Sequence, residues 1–164
     1  MSAPDEWPHA NEHAVAHAQF TIERVYAAMP VQVFAAWADP AAKSRWFVAG
    51  KGWDLAEYEH DFRVGGREHG SFQRKAGEPV YRNEVRYLDI LAPHRIVLAY
   101  SMARDAVRIS ASLLSVQFIA EGGGTRLRLT EQGAFLDRHD SSASREQGWE
   151  DLLTALGKEL GHAS

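Results

Sequence analysis

Cysteine is missing from the 164 residues of this chain. Disulfide bonds, thiolate nucleophiles and cysteine-ligated metal sites are therefore excluded from its chemistry. Long apolar segments are missing as well, because no run approaches the roughly 18 residues that a membrane-spanning helix needs. The first residues are polar and do not resemble a secretory signal peptide. From these absences we expect a cytoplasmic protein.

A surplus of basic residues is also missing, since 18 Lys and Arg are scattered among 22 Asp and Glu and the net charge is −4. Proteins whose main task is to bind nucleic acid or anionic membranes normally carry a clustered basic surface. We therefore predict neither nucleic acid nor a membrane as a partner. Apolar residues make up 45% of the chain, which is enough for the core of a single domain.

Residues 1–17 contain two Pro and three His and show no hydrophobic periodicity. We predict a flexible N-terminal arm here and one folded domain over residues 18–162. The three histidines are spaced four residues apart: His9, His13 and His17. On a helix this spacing can bind a transition metal, but Pro8 and the lack of an acidic or fourth ligand favour a solvated tail. We predict no metal site and no cofactor.

The hydrophobic pattern predicts the element order β-α-α-β6-α. A first strand begins at Gln19, where apolar and polar residues alternate. Two short helices follow, and Asp39-Pro40 opens the second with an N-cap residue and a proline at the first helical position. From Trp53 to Thr130, six alternating segments are joined by short Gly-rich turns. This arrangement predicts an antiparallel meander rather than βαβ units.

The strongest helical signal lies near the C-terminal end. One apolar stripe recurs there at helical spacing: Trp149, Leu152, Leu153, Leu156 and Leu160. Ser144 and Gln147 fit a capping box at the start of the helix, and Gly161 fits its end. Gly157 should cost about 1 kcal/mol relative to Ala in a helix. It therefore indicates either a close approach of the sheet or room for a ligand.

Several short motifs occur in an order and spacing that is specific for one fold. They are Pro30 to Trp37, Asp39-Pro40 with Trp46, Asp61 to Gly66, Ala92 to Val97, Gly124 to Leu127 and Gly148 to Leu153. In these motifs the chain resembles the SRPBCC (START-related) superfamily, and within it the activators of the heat-shock protein 90 ATPase and their homologues. Over residues 18–160 the resemblance implies an α+β helix-grip fold, START-like or Bet v-like. In such a fold a curved seven-stranded antiparallel sheet surrounds a long C-terminal helix and a ligand-sized cavity.

The resemblance does not imply one reaction, because the superfamily includes lipid carriers, hormone receptors, polyketide cyclases and cochaperones. One departure is the segment Tyr81-Arg82-Asn83-Glu84, where the relatives usually place a glycine. A larger residue at this point should change the cavity wall or the local twist of the strand.

Strand alternation predicts an unusually aromatic face beneath the long helix. The predicted ligand-binding residues are Trp46, Tyr58, His60, Phe62, Phe72, Asn83, Tyr87, Tyr100, Ser112, Phe118, Glu131, Trp149 and Leu153. Aromatic walls with a few polar groups suit a flat or extended apolar ligand. In the alternative interpretation, the aromatic rings pack against one another and the helix, and no room is left.

Two ionisable residues, His60 and Glu131, fall on inward-facing positions of apolar strands and are the weak catalytic candidates. A buried carboxylate is costly unless it is paired. A His–Glu pair beside a cavity can carry out general acid–base chemistry, such as the enolisation that a cyclase needs. The alternative is a structural hydrogen bond, or a Glu131 in contact with solvent. Asn83 and Ser112 share the inward face and could orient an oxygen atom of a ligand.

Three functions follow from this pattern. The first is a non-enzymatic domain that binds a small apolar or aromatic molecule under the C-terminal helix. The second is an enzyme of the polyketide cyclase or hydrolase-like kind that uses His60 and Glu131. The third is a cochaperone-like interaction module for the stress response, and it is the least favoured because no second segment is seen that could embrace a chaperone. Exposed strand edges would allow a homodimer.

Overall fold

The structure is a computed structural model that describes residues 13–48 and 53–162. In it the alternating segment around Phe20 forms the first strand, as predicted. The strand, β1, runs Val15–Tyr26 and so begins before Gln19, where the sequence pattern places its start. The reason is the length of its partner, because the last strand of the sheet pairs with β1 as far as Val15. Residues 15–17 of the predicted arm therefore belong to the sheet, and residues 1–12 lie outside the described part.

The order of the remaining elements is the predicted one. After β1 come the helices α1 (Pro30–Ala38) and α2 (Pro40–Lys43), and α2 continues into a π-helical turn (Ser44–Val48). The described chain then contains the strands β2 (Leu55–His60), β3 (Arg67–Gln73), β4 (Tyr81–Leu91), β5 (Arg95–Arg104), β6 (Val107–Glu121) and β7 (Gly124–Leu136). The helix α3 (Ser142–His162) closes the fold.

The sheet is antiparallel throughout and has the strand order β1-β7-β6-β5-β4-β3-β2. Consecutive strands from β2 to β7 are neighbours, which confirms the predicted meander. Tight turns make this possible, because Gly65, Gly122 and Gly123 adopt the positive φ angles that side chains disfavour. The strands β1 and β2 form the two edges of the sheet.

The apolar stripe of α3 packs against the concave face of the sheet, which confirms the α+β helix-grip fold. Leu153 and Leu156 are fully buried in one core with Trp37 of α1 and with Leu127 and Leu129 of β7. The predicted capping box at Ser144 is wrong. The helix starts earlier, at Ser142, because the Ser141 hydroxyl accepts a hydrogen bond from the Ser144 amide.

Gly157 marks a close contact between α3 and β1. A Cβ atom at this position would lie 3.3 Å from Cε1 of Tyr26, and the Tyr26 hydroxyl donates a 2.7 Å hydrogen bond to the Leu153 carbonyl. Of the two interpretations of Gly157, the close approach of the sheet is therefore the one observed. Gly148, one turn before Leu152 on the same helix, has no atom within 4 Å of an added Cβ.

These two helical glycines should respond differently to alanine. Gly148→Ala is expected to raise the free energy of unfolding by about 1 kcal/mol, the usual helix preference for Ala over Gly. Gly157→Ala should give a clearly smaller gain or a loss, because the new methyl group presses on the Tyr26 ring. Chemical denaturation of both variants measures the difference, and equal gains would contradict the close packing of Tyr26.

Candidate functional site

A cavity of about 510 Å³ lies between the first half of α3 and the inner face of β3 to β5. Its size falls within the range of small-molecule sites, roughly 300–1,000 Å³. The walls are mainly aromatic and aliphatic, and include Phe47, Phe72, Leu98, Met102, Leu114 and Trp149. Exposed side chains of Arg74, His139 and Ser144 border one end, so the cavity opens to solvent there.

Strand register arranges the sheet residues of the wall and their immediate neighbours in rows that run inward from the open end. The rows are Phe72–Tyr81–Arg104, then Gly70–Asn83–Met102, then Glu68–Val85–Tyr100 and finally Tyr87–Leu98–Leu114. The last row lies six residue steps along β4 from the first, which corresponds to about 20 Å at the usual rise of a strand. Asn83 is accommodated next to Gly70, where an added Cβ would lie only 3.0 Å from the Asn83 side-chain oxygen.

The structure brings four of the thirteen predicted ligand-binding residues to this cavity: Phe72, Asn83, Tyr100 and Trp149. The others do not line it: Trp46, Tyr58, His60, Phe62, Tyr87, Ser112, Phe118, Glu131 and Leu153. Several of their rings pack against one another instead, as in the edge-to-face contact of Phe62 with Tyr87 at 5.1 Å. At that end of the fold, the aromatic residues fill the space between helix and sheet.

Sequence reasoning missed the charged residues at the inner wall. Lys43 is the last residue of α2, and no sequence pattern marks it as buried, yet it is 2% exposed. Glu68 could have been found, because it lies four residues before Phe72 on the same face of β3. Its exposed neighbours Arg67 and His69 are polar like Glu68 itself, so the sequence shows no contrast between apolar and polar residues at this point.

We call Lys43, Glu68, Tyr87 and His60 the Lys43 cluster. Oε1 of Glu68 accepts hydrogen bonds from the Lys43 ammonium at 2.9 Å and from the Tyr87 hydroxyl at 2.6 Å. His60 Nε2 lies 3.0 Å from the same hydroxyl. Because Tyr87 has one proton and donates it to Glu68, His60 Nε2 must be the donor of this bond. The Lys43 ammonium also lies 4.7 Å from the centre of the Phe47 ring, within the range of a cation–π contact.

Electrostatics fixes the protonation states in the Lys43 cluster. Burial alone would raise the pKa of Glu68, but the positive charge of Lys43 and the hydrogen bonds from Tyr87 and Lys43 hold it below its usual value. Burial raises the pKa of Tyr87, so its hydroxyl keeps its proton. Burial, and then the charge of Lys43, lower the pKa of His60 to about 4. At neutral pH the cluster therefore holds one ion pair and a neutral histidine.

We call the second polar group the Glu131 clamp, formed by Glu131, Tyr100, Ser112, Arg145 and Trp149. Oε1 of Glu131 accepts from the Tyr100 hydroxyl at 2.6 Å and from the Trp149 indole at 2.9 Å. Oε2 accepts from the Ser112 hydroxyl at 2.8 Å and from Arg145 at 3.0 Å. Both carboxylate oxygens are thus saturated, as a fully buried carboxylate requires.

The predicted His60–Glu131 pair is not formed. His60 contacts Tyr87 and Glu68, whereas the partners of Glu131 all belong to its own clamp, so the two residues share no partner. Strand order explains the error, because β2 and β7 are separated in the sheet by β3, β4, β5 and β6. Glu131 makes structural hydrogen bonds, which was one of the two alternatives to a catalytic role. Ser112 donates its hydroxyl proton to Glu131 and does not face a ligand.

Two buried polar side chains of the cavity wall have unsatisfied atoms. Oδ1 of Asn83 and Nε1 of Trp37 make no hydrogen bond within residues 13–48 and 53–162, although Asn83 is 5% and Trp37 1% exposed. Buried polar atoms nearly always have a partner, and an unsatisfied one costs about 1–3 kcal/mol. Both atoms are themselves buried, so an occupant of the cavity would reach them only after the Asn83 amide or the Trp37 ring had shifted.

The helical histidine face, considered from the sequence and not favoured, is not formed at His17. His17 lies in β1, where residues alternate between faces rather than recur every fourth residue, and His9 lies outside the described residues. In the described part of the chain, no group of three or more His, Cys, Asp or Glu is placed to hold a metal ion. Within the same ranges, no helix is long and apolar enough to cross a membrane.

The lowered pKa of His60 predicts a specific loss of stability in acid. The unfolded chain takes up a proton on His60 below about pH 6.5, whereas the folded chain resists protonation down to about pH 4. Stability should therefore fall as the pH drops through this window, by up to about 3 kcal/mol from this residue. Unfolding experiments between pH 7.5 and 4.5 measure the slope. His60→Gln should flatten it, and an unchanged slope in that variant would assign the loss to other groups.

The unsatisfied amide of Asn83 predicts a substitution that stabilises the free protein. Asn83→Leu keeps the shape of the side chain and removes the buried polar atoms, so the free energy of unfolding should rise by about 1 kcal/mol. The control is Gln117→Leu on the exposed face of β6, which should change stability by less than about 0.5 kcal/mol. A lower stability of Asn83→Leu in the absence of ligand would show that the amide has a partner.

Comparison with known proteins identifies relatives over most of the chain. A family model described as Activator of Hsp90 ATPase homolog 1-like protein matches residues 27–161. Among curated proteins, no match was found. Solved structures match along nearly their whole length. Protein Mll3558 from Rhizobium loti is 47% identical and superposes with a TM-score of 0.83, and the match covers 90% of this chain and 99% of that one.

Two further solved structures extend this similarity. An uncharacterized protein from Rhizobium leguminosarum is 38% identical with a TM-score of 0.86, over 92% of this chain and 98% of the other. An AHSA1-like protein from Aeromonas hydrophila is 25% identical with a TM-score of 0.66, over 89% and 94% of the two chains. With the family match and the helix-grip architecture, the chain belongs to the Activator of Hsp90 ATPase homolog 1-like family of the SRPBCC superfamily.

Proposed function

We propose that this protein binds a small, mainly apolar molecule in the cavity beneath the first half of α3. The observation that carries the proposal is the cavity itself, which is open at one end and has the unsatisfied amide of Asn83 in its wall. A side chain that only filled the core would gain stability by being apolar. An amide in the cavity wall that lacks a protein partner could turn toward a ligand that supplies the missing hydrogen bond.

The shape of α3 supports this proposal. Gly148 borders the cavity and has open space in the direction of a side chain, so the helix leaves volume free where it crosses the cavity. Trp149 follows Gly148, but its indole is held by the Glu131 clamp and does not fill that volume. Aromatic and aliphatic groups line most of the remainder, and these are the contacts that an apolar ligand needs.

The other functions considered from the sequence have less support. An enzyme that uses His60 and Glu131 is not favoured, because neither residue lines the cavity and they belong to separate clusters. A role toward a chaperone gains no support from the cavity, which is an internal feature and not a docking surface. A cytoplasmic location, the absence of a cofactor, and a homodimer through the edges β1 and β2 stay predictions from the sequence.

A cavity-filling variant tests the proposal. Apolar probes, both alkyl and aromatic, are screened by thermal shift and by the fluorescence of the tryptophans that line the cavity. A probe at a hundred times its dissociation constant should stabilise the wild-type protein by about 2.7 kcal/mol. Gly148→Leu should keep the fold and abolish the shift, because the new side chain occupies the free volume.

The matched control is Gly161→Leu, the same substitution near the exposed end of α3, where an added Cβ also meets nothing within 4 Å. This variant should bind the probes like the wild type. The proposal fails if no apolar probe stabilises the wild-type protein. It also fails if Gly148→Leu, while folded, binds as well as Gly161→Leu.

A further inference from the structure

The open end of the cavity carries two arginines that have no acidic partner. Arg74 and Arg104 both border the cavity, and neither guanidinium forms an ion pair within the described ranges 13–48 and 53–162. Arg74 lies over the Trp53 ring at 5.0 Å, which orients it by a cation–π contact. Arg104 ends β5 directly opposite Tyr81 in the first row of the wall. The two guanidinium groups are therefore free to bind an anion.

Many other arginines of the described chain pair with carboxylates. Arg67, Arg82, Arg86 and Arg108 form no ion pair in these ranges either, and Arg74 and Arg104 differ from them in bordering the cavity. The ion-paired ones include Arg24, Arg45, Arg63, Arg95, Arg126, Arg128 and Arg145. The acidic residue at the open end, Asp140, is itself bound to Arg145 at 2.7 Å. In a protein with a net charge of −4, the entrance of the cavity thus keeps an uncompensated positive charge.

Polarity changes from the entrance inward. Behind Arg104 comes the row that contains Asn83, whose buried amide oxygen has no hydrogen bond to the described chain. Further in, the walls are formed by apolar side chains such as Leu98 and Leu114. The charged pair at the inner wall, Lys43 and Glu68, is internally neutralised. A ligand that matches this sequence of environments is charged at one end and apolar along its body.

We propose that the ligand is an amphipathic organic anion, with a carboxylate held by Arg74 and Arg104 and an apolar body that extends under α3 toward Leu98 and Leu114. Guanidinium groups bind carboxylates through charge-assisted, often bidentate hydrogen bonds. A body of up to about 20 Å fits the distance between the first and last rows of the wall. This inference rests on the proposed function, because it specifies the chemistry of the molecule that the cavity binds.

The test compares each anion with a neutral molecule of the same shape. The alkyl pair is decanoate and 1-decanol, and the aromatic pair is 2-naphthoate and its methyl ester. Affinities are measured by isothermal titration and by tryptophan fluorescence. The wild type should bind the anion of at least one pair about tenfold more tightly than its neutral counterpart, the gain from about 1.4 kcal/mol of charge-assisted bonding. This preference should shrink as the salt concentration rises.

Two double variants locate the effect. Arg74→Gln with Arg104→Gln should lose about tenfold in affinity for the anion and leave the neutral counterpart unchanged. Arg67→Gln with Arg86→Gln is the matched control, because it removes the same charge from two exposed, directly opposed positions of β3 and β4. The control should bind the anion like the wild type.

The outcomes separate the two proposals. If a neutral probe binds in the cavity as tightly as its anion and the Arg74/Arg104 variant changes neither, the anionic ligand is wrong and the proposed function stands. If the control variant loses as much affinity as the Arg74/Arg104 variant, the effect comes from overall charge and the assigned site is wrong. If neither probe pair nor any other apolar compound binds the wild type, the proposed function itself fails.

Discussion

The position of α3 depends on one fully buried carboxylate, that of Glu131 in β7. Two of its four hydrogen-bond donors, Tyr100 and Ser112, come from the sheet. The other two, Arg145 and Trp149, come from the helix. Breaking a buried ion pair of this kind leaves an uncompensated charge and costs about 3–5 kcal/mol. The clamp therefore connects helix and sheet more specifically than apolar packing alone can do.

The two halves of α3 are consequently held in different ways. The second half packs by apolar contact, with Leu153 and Leu156 fully buried and Gly157 close against Tyr26. The first half is held by polar groups of fixed length, which set a distance between helix and sheet. Because Gly148 adds no side chain in that interval, volume stays free there. The cavity thus lies where the clamp holds the helix, whereas the second half combines close apolar packing with the hydrogen bond from Tyr26 to the Leu153 carbonyl.

Local periodicity was sufficient to predict the order of the helices and strands, and the family resemblance supplied the helix-grip arrangement. The stripe from Trp149 to Leu160 and the alternation in each strand depend only on the geometry of helices and strands, so they are readable without the structure. The same alternation correctly placed Glu131 on the inner face. It could not tell which partner Glu131 would meet, because partners are set by strand order and by the curvature of the sheet. His60 has the same inward orientation but lies on the far edge strand, β2.

The residues that sequence reasoning missed share one property, which is that long-range pairing makes their burial possible. Arg145 lies in the polar first turns of α3 and Lys43 at the end of a short helix, positions where charged residues are normally solvated. Each is buried because it forms an ion pair with a carboxylate on another element, Arg145 with Glu131 and Lys43 with Glu68. A single sequence contains the two members of each pair but no signal that links them.

Asn83 completes this account, because it is, with Trp37, one of two described side chains of the cavity wall that have a polar atom no such pairing satisfies. The buried carboxylates of Glu131 and Glu68 each accept hydrogen bonds from neighbouring side chains. The amide oxygen of Asn83 accepts none in the described chain. Folded proteins are stable by only about 5–15 kcal/mol, so an unsatisfied atom that costs about 1–3 kcal/mol is a considerable burden. A leucine would remove that burden without changing the shape of the side chain. Under the proposed function, the amide would turn toward the ligand and accept the hydrogen bond that it lacks in the free protein, and ligand binding would restore the missing stability.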